Sequence, residues 1–254
     1  MGLFSSKLVD HDTAEWQLEN FESLIRDLSL GLKMPKFAFH LPTNETFSDS
    51  ANPHKKYEGH ALAAFILQRV KEQCDMGGVV LTLSPTTENK PEFMSDSVVL
   101  QPTENNAAAG RYYLRADGRG NTKEGITYDR DLLNNPAQLV ATFAHEMAHC
   151  IYNRMRKLPE FEEEILYEMY TDLTAVFLGY GVFLANGKSS FSSDNRGWSS
   201  QSVGYLSEAE LVFATAIFMQ IKDISIDVPK RYLKPHLHKM LRKFLMNGNQ
   251  VAKM

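Results

Sequence analysis

Cysteine is scarce. Cys74 and Cys150 are the only two in 254 residues, which excludes a disulfide-stapled scaffold. Long apolar runs are missing as well. The longest, Leu173 to Ala185, is broken by Thr174, Gly179 and Gly181 and falls short of the roughly 20 residues that a helix needs to cross a bilayer. Basic charge is not in excess: 27 Lys and Arg stand against 31 Asp and Glu, a net charge of −4. The chain as a whole therefore advertises no nucleic-acid surface, and no nucleic acid is expected as a partner. The opening MGLFSSKLVDHD has no apolar core of signal-peptide length, so the expected compartment is the cytoplasm. Gly2 with Ser6 fits the N-myristoylation pattern, and Lys7 follows it.

What is present is an ordinary globular balance, 43% apolar and 23% charged, without internal repeats. A first helix is expected from about Thr13 to Leu30. Asp12 and Glu15 would form a capping box there, and Leu18, Phe21, Leu24, Ile25 and Leu28 an apolar stripe. A second helix is expected over His60 to Cys74, with Leu62, Phe65, Ile66 and Val70 facing inward. Short β-rich runs follow at Gly78–Leu83, Ser97–Leu100, Arg111–Arg115 and Gly125–Tyr128, separated by turn-prone residues. They read as a small, mostly antiparallel sheet. Beyond Asn135 the pattern is helical. Asn135 is suited to an N-cap and Pro136 to the first helical position. A helix should run from near Glu160 to about Ala185, a Ser/Gly/Asn-rich loop from Gly187 to Ser202, and a helix from Ser207, where Ser207 and Glu210 can form a capping box and Leu206 can staple to Leu211. A last helix is expected after Pro229. The fold class is α+β, divided into a helix and sheet subdomain over 1–153 and a helical subdomain over 154–254.

The chemistry concentrates in His145-Glu146-Met147-Ala148-His149. Two histidines four apart on a helix share one face, one turn apart, and their imidazoles can converge on one metal ion. Glu146 sits beside them, able to take a proton from an activated water without ligating. The flanks Leu139, Val140, Phe143, Ala144, Met147, Ala148 and Ile151 make this helix apolar on most sides. It therefore buries ionisable groups, which costs several kcal/mol unless they are paired or hold a metal. Catalytic zinc takes three protein ligands. Eighteen residues separate His149 from Glu168-Met-Tyr-Thr-Asp172. Glu168 and Asp172 share a helix face among Leu166, Tyr167, Met169, Leu173, Val176 and Phe177. Glu168 is favoured as third ligand over Glu164, which belongs to a solvated acidic run. Asp172 is suited to hold the other ring N–H of a ligating histidine.

HEMAH, eighteen residues, then ExxxD resembles the gluzincin zinc metallopeptidases, which include thermolysin and the aminopeptidase N group. The resemblance implies a zincin-like fold with zinc as cofactor, His145, His149 and Glu168 as ligands, Glu146 as general base, Asp172 behind a histidine and a peptide or protein as substrate. Members of the family place a Tyr or His near the reacting carbonyl. Tyr205 is the first choice here, ahead of Tyr167, His236 and His238. In zincins an edge strand above the active helix pairs with the substrate, a role open to Arg111–Arg115 or Gly125–Tyr128. The alternative from another class is a zinc-binding scaffold that regulates or binds proteins without cleaving them.

Two features have plainer readings. The segment from Val228 to Met254 holds seven Lys or Arg and no acid, with an amphipathic pattern that packs on the helical part and leaves its charges in water. Cys150 points about 100° away from His149 around the helix and reads as core.

Overall fold

A computed structural model of the chain describes residues 8–31, 37–49, 52, 54–86, 109–116, 122–154, 161, 163–188 and 205–248. Its class is α+β. Helix α1 (His11–Gly31), the single turn α2 (Asn44–Phe47) and α3 (Gly59–Gln73) precede strands β1 (Thr82–Pro85), β2 (Gly110–Ala116) and β3 (Thr122–Tyr128). A 3₁₀ turn at Arg130–Asn134 leads into α4 (Pro136–Tyr152). Then come α5 (Glu164–Ala175), a π turn at Val176–Tyr180, α6 (Gly181–Lys188), α7 (Glu208–Ile221) and α8 (Pro235–Gly248).

Helix α4 is the hub. The Asn135 side chain accepts from the Gln138 N–H and Pro136 opens the helix, so both start signals act where the sequence puts them. Nearly every residue from Gln138 to Tyr152 is buried, as expected of a helix that is apolar all round. It packs on α3, α5, α6 and the sheet. Buried apolar residues from Val9 to Phe244 form one cluster, and α1, from the N-terminal part, lies against α5 and α7.

The sheet has the order β1-β3-β2, with β3 antiparallel to β2 and parallel to β1. The antiparallel pairing is the longer of the two, from Gly110↔Tyr128 to Ala116↔Thr122. The parallel partner was not legible from alternation alone, because periodicity gives no strand direction. The strand expected at Gly78–Leu83 is shifted, to Thr82–Pro85. Ser97–Leu100 lies outside the described residues, as do Gly2, Ser6 and Lys7.

Helix boundaries bring further corrections. The first helix is capped by Asp10, not by the Asp12/Glu15 box: Thr13 N–H donates to Asp10 Oδ1 at 2.8 Å and the Thr13 hydroxyl to Oδ2 at 2.7 Å. Phe21 and Leu24 of its stripe are buried and Leu18 and Ile25 half-buried. In α3, Ile66 and Val70 are buried and Leu62 and Phe65 half-buried. The helix expected from Glu160 to Ala185 starts at Glu164 and is interrupted at Gly179, whose φ is 98°. Only a glycine fits here, since a Cβ would stand 2.1 Å from the Ala38 carbonyl oxygen. The chain then remains helical through Lys188, so Gly187 belongs to a helix rather than a loop. The rest of the expected loop, 189–202, lies outside the described residues. The Ser207/Glu210 capping box is present, and Leu206 and Leu211 are both buried. The last helix starts at Pro235 rather than just after Pro229. Its face of Leu237, Leu241 and Phe244 is buried against α7, while Lys239, Arg242 and Lys243 are exposed. Among the described residues no helix is long and apolar enough to cross a membrane.

Candidate metal centre

Helices α4 and α5 bring four of the residues singled out by the sequence into contact. His145 Nε2 lies 3.2 Å and His149 Nε2 3.4 Å from the same oxygen of Glu168, Oε2. Asp172 Oδ1 lies 2.9 Å from Nδ1 of His145. His145 thus touches both Glu168 and Asp172, and His149 touches Glu168. One donor atom each from His145, His149 and Glu168 falls within 4.8 Å of the others. The rings of the two histidines stand nearly perpendicular, at 81° with centroids 5.0 Å apart.

Asp172 is fully buried. Besides His145 it accepts the main-chain N–H groups of Tyr205 at 2.5 Å and Leu206 at 2.8 Å, both on Oδ2. Three donors satisfy a carboxylate that would otherwise be costly to bury. An acceptor on Nδ1 fixes the hydrogen of a neutral His145 there and leaves Nε2 with a lone pair. That lone pair faces Glu168, itself an acceptor. Two lone pairs 3.2 Å apart repel unless a proton or a metal cation lies between them. The same demand appears in the titration. Burial alone would push His145 down, but the hydrogen bonds to Asp172 and Glu168 override it and hold the imidazole well above its ordinary pKa. Burial pushes Glu168 up, yet the two imidazoles hold its carboxyl well below the usual range.

The donor set can hold a metal ion, and its spacing is compatible with zinc among others. Ligands at about 2.1 Å in a tetrahedron stand about 3.4 Å apart, close to the 3.2 and 3.4 Å found between each imidazole and Glu168. Two imidazoles and one carboxylate leave a fourth position for a substrate or water. Both histidines have a partner on the far nitrogen, as ligating histidines do. For His149 that partner is the Tyr167 hydroxyl, 3.2 Å from Nδ1, held as a phenol because burial and then the charge of Glu168 push its pKa up to about 12.

Glu146 is 5% exposed and accepts the Tyr112 main-chain N–H on Oε2 at 2.5 Å. Burial pushes its pKa up, against the opposing charges of the two imidazoles. Strand β2 comes this close because Gly110 has no side chain. A Cβ there would lie 2.5 Å from Thr142 Cγ2 and 3.3 Å from Glu146 Oε1.

The remaining candidates are placed differently. Tyr205 reaches the site by its main chain, through Asp172, and its side chain leaves the residue 48% exposed. Burial and then the charge of Glu168 push its hydroxyl pKa up. His236 pairs with Glu208 at 3.2 Å and His238 faces the Ile226 carbonyl at 3.4 Å, so neither belongs to the cluster. Gly125–Tyr128 lies in the central strand, flanked on both sides, and offers no edge to a peptide. Among the described strands β2 is an edge. Cys150 is buried, as expected of core, though its sulfur also lies 3.1 Å from an Arg154 Nη1. Tyr112 and the pairing of Tyr167 with His149 were not foreseen. The first acts through an N–H that every residue but proline has. The second had a signal in the place of Tyr167 directly before Glu168. Comparison with protein families, with curated proteins and with solved structures gave no match for this chain.

Proposed function

We propose that the chain is a zinc-dependent metallopeptidase of gluzincin type with a zincin-like arrangement of sheet and active helix. The observation that carries this reading is the convergence of two imidazole Nε2 atoms on one carboxylate oxygen, backed by Asp172 in a way that leaves His145 needing a cation. His145, His149 and Glu168 would hold the ion. When bound, zinc polarises a peptide carbonyl and acidifies water.

The chain's own residues supply the rest. Asp172 and Tyr167 fix the two imidazoles with their Nε2 lone pairs turned inward. Glu146, next to His145 and raised in pKa by burial, takes the proton of the attacking water and passes it to the leaving amine. The Tyr112 N–H holds one oxygen of Glu146 and leaves the other for the water. That N–H points away from β3. By the two-residue period of a strand, the outward main-chain groups of Leu114 line the same edge, to which an extended peptide can add. Tyr205, half-exposed and tied by its main chain to Asp172, is the side-chain candidate for a donor to the carbonyl oxygen.

Metal analysis and cleavage profiling test this together. The purified chain should carry about one zinc per molecule, lost in His149→Ala. A peptide library should be cleaved by the zinc-loaded protein and left intact by Glu146→Gln with zinc still bound. Zinc without cleavage would favour the non-catalytic zinc scaffold, and absence of metal binding would remove both readings.

A further inference from the structure

Tyr112 touches the site twice and is itself held from behind. Its N–H holds Glu146 at 2.5 Å. Its ring lies nearly parallel to that of His149, at 16° with centroids 6.4 Å apart. Its hydroxyl donates to Glu124 Oε1 at 2.5 Å. Glu124 is the diagonal neighbour of Tyr112 on β3, two residues from its direct partner Ile126. On the other side Glu124 takes a two-pronged ion pair from Arg154, Nη1 to Oε1 at 2.6 Å and Nη2 to Oε2 at 2.5 Å. Arg154 lies just beyond the end of α4, and the same Nη1 donates to the Cys150 carbonyl of its last turn at 2.9 Å. The chain of contacts therefore closes on itself: α4, Arg154, Glu124, Tyr112, Glu146, α4.

We propose that Arg154 and Glu124 are positioning residues, which lock Tyr112 so that its N–H fixes the Glu146 carboxylate. The inference rests on reading Glu146 as the base. Without the anchor at its hydroxyl, Tyr112 loses the contact that ties its side chain through Glu124 to the end of α4, and β2 has no further described strand beyond it. The fork of an arginine on a carboxylate fixes direction as well as distance, so the orientation of Glu124, and with it the place of the Tyr112 hydroxyl, depends on both guanidinium nitrogens. None of the three candidate ligands is a member of this circuit, and only the Tyr112 ring lies beside one of them, His149, so loss of the circuit should disturb the base more than the ion.

The test uses the full-length zinc-loaded chain. A hydrogen bond to a carboxylate should set the Tyr112 amide proton downfield in the NMR spectrum. Arg154→Gln should move that resonance upfield, lower kcat by about 10- to 100-fold, and leave KM and zinc affinity within about threefold. Arg154→Lys, which keeps the charge and loses the fork, should fall between. A merely structural part for Arg154, as a cap on α4, would lower the melting temperature and leave the amide where it is. An unmoved amide in the folded variant overturns the proposal, and so does a moved amide with kcat unchanged. If Arg154→Gln fails to fold, Tyr112→Phe removes the hydroxyl contact alone and is expected to lower kcat in the same way. Should the wild-type chain cleave no peptide, the peptidase reading fails, and the amide shift still decides whether Arg154 positions Tyr112.

Discussion

Asp172→Asn is the substitution whose consequence the structure fixes most closely. The side chain changes by one atom, at a position that is 0% exposed. The carboxylate now accepts three N–H groups: His145 Nδ1 on Oδ1, and Tyr205 and Leu206 on Oδ2. Asparagine has one acceptor oxygen and an amide that only donates. The two main-chain donors cannot change, so the amide oxygen goes to them and the NH₂ turns to His145. That pairing is donor against donor unless the ring moves its hydrogen to Nε2, the atom facing Glu168. The metal-facing lone pair is then lost. Removing an outer partner of a ligating histidine costs about 10- to 100-fold in metal affinity, and the tautomer switch places this case at the upper end, about 2.7 kcal/mol. Chelator competition on purified protein measures it. Tyr167→Phe removes the corresponding partner of His149, a neutral one, and should cost less because charge-assisted bonds are the stronger. Zinc affinity of Asp172→Asn within threefold of wild type, or a larger loss in Tyr167→Phe, would refute this account of how the imidazoles are set.

Three further outcomes are expected. Zinc at about 100 times its Kd should add about 2.7 kcal/mol of stability and raise Tm by about 5–10 °C in scanning calorimetry, and Glu168→Ala should remove the rise. Because His145 is held well above its ordinary pKa in the metal-free fold, its pairing stabilises that fold below about pH 6.5 and the benefit fades as pH rises. With chelator present, Tm should thus fall on going from pH 6 to 9, less so in His145→Gln, whereas zinc affinity should climb over the same interval because binding displaces the proton. Gly110→Ala puts a methyl 2.5 Å from Thr142 Cγ2; a denaturant titration should show a loss of about 1–3 kcal/mol, with cleavage falling as β2 is pushed away from Glu146.

The parts of the fold legible in the sequence are those specified within one turn of the chain. Asn135-Pro136 and the Ser207/Glu210 box start their helices where expected, since a cap is a contact across three residues. The same logic shows why Asp10 displaces Asp12: several polar residues at the start of α1 can cap, and the choice depends on where Val9 and Ala14 are buried, which is tertiary. Gly179 was read as an interruption of an apolar run, but its positive φ answers to the carbonyl of Ala38, far off in sequence. The direction of β1 likewise depends on pairing across a long separation. At the site, the two i, i+4 pairs were legible because helical periodicity alone puts their members on one face. Tyr112, Glu124 and Arg154 were not, since they meet through the sheet and no local pattern marks them.

The matched spacing of the two pairs is what lets one helix crossing build both shells. His145 and His149 stand one turn apart on α4, Glu168 and Asp172 one turn apart on α5, and each turn rises about 5.4 Å. In the observed register Glu168 reaches both Nε2 atoms while Asp172 reaches behind His145. Sliding α5 by one turn would replace the ligand by its neighbour or withdraw both carboxylates, so the site depends on register more than on any single contact. Two sets of bonds hold that register. The Tyr152 hydroxyl, at the end of α4, donates to the Tyr170 carbonyl at 2.9 Å and also meets Thr174. The main chain of Tyr205 and Leu206 is tied to Asp172 just before the capped start of α7. Tyrosine at 152 and a capped helix after 206 thus serve the candidate metal centre in a way that neither residue type would announce, because what they fix is not a ligand but the position of one helix along another.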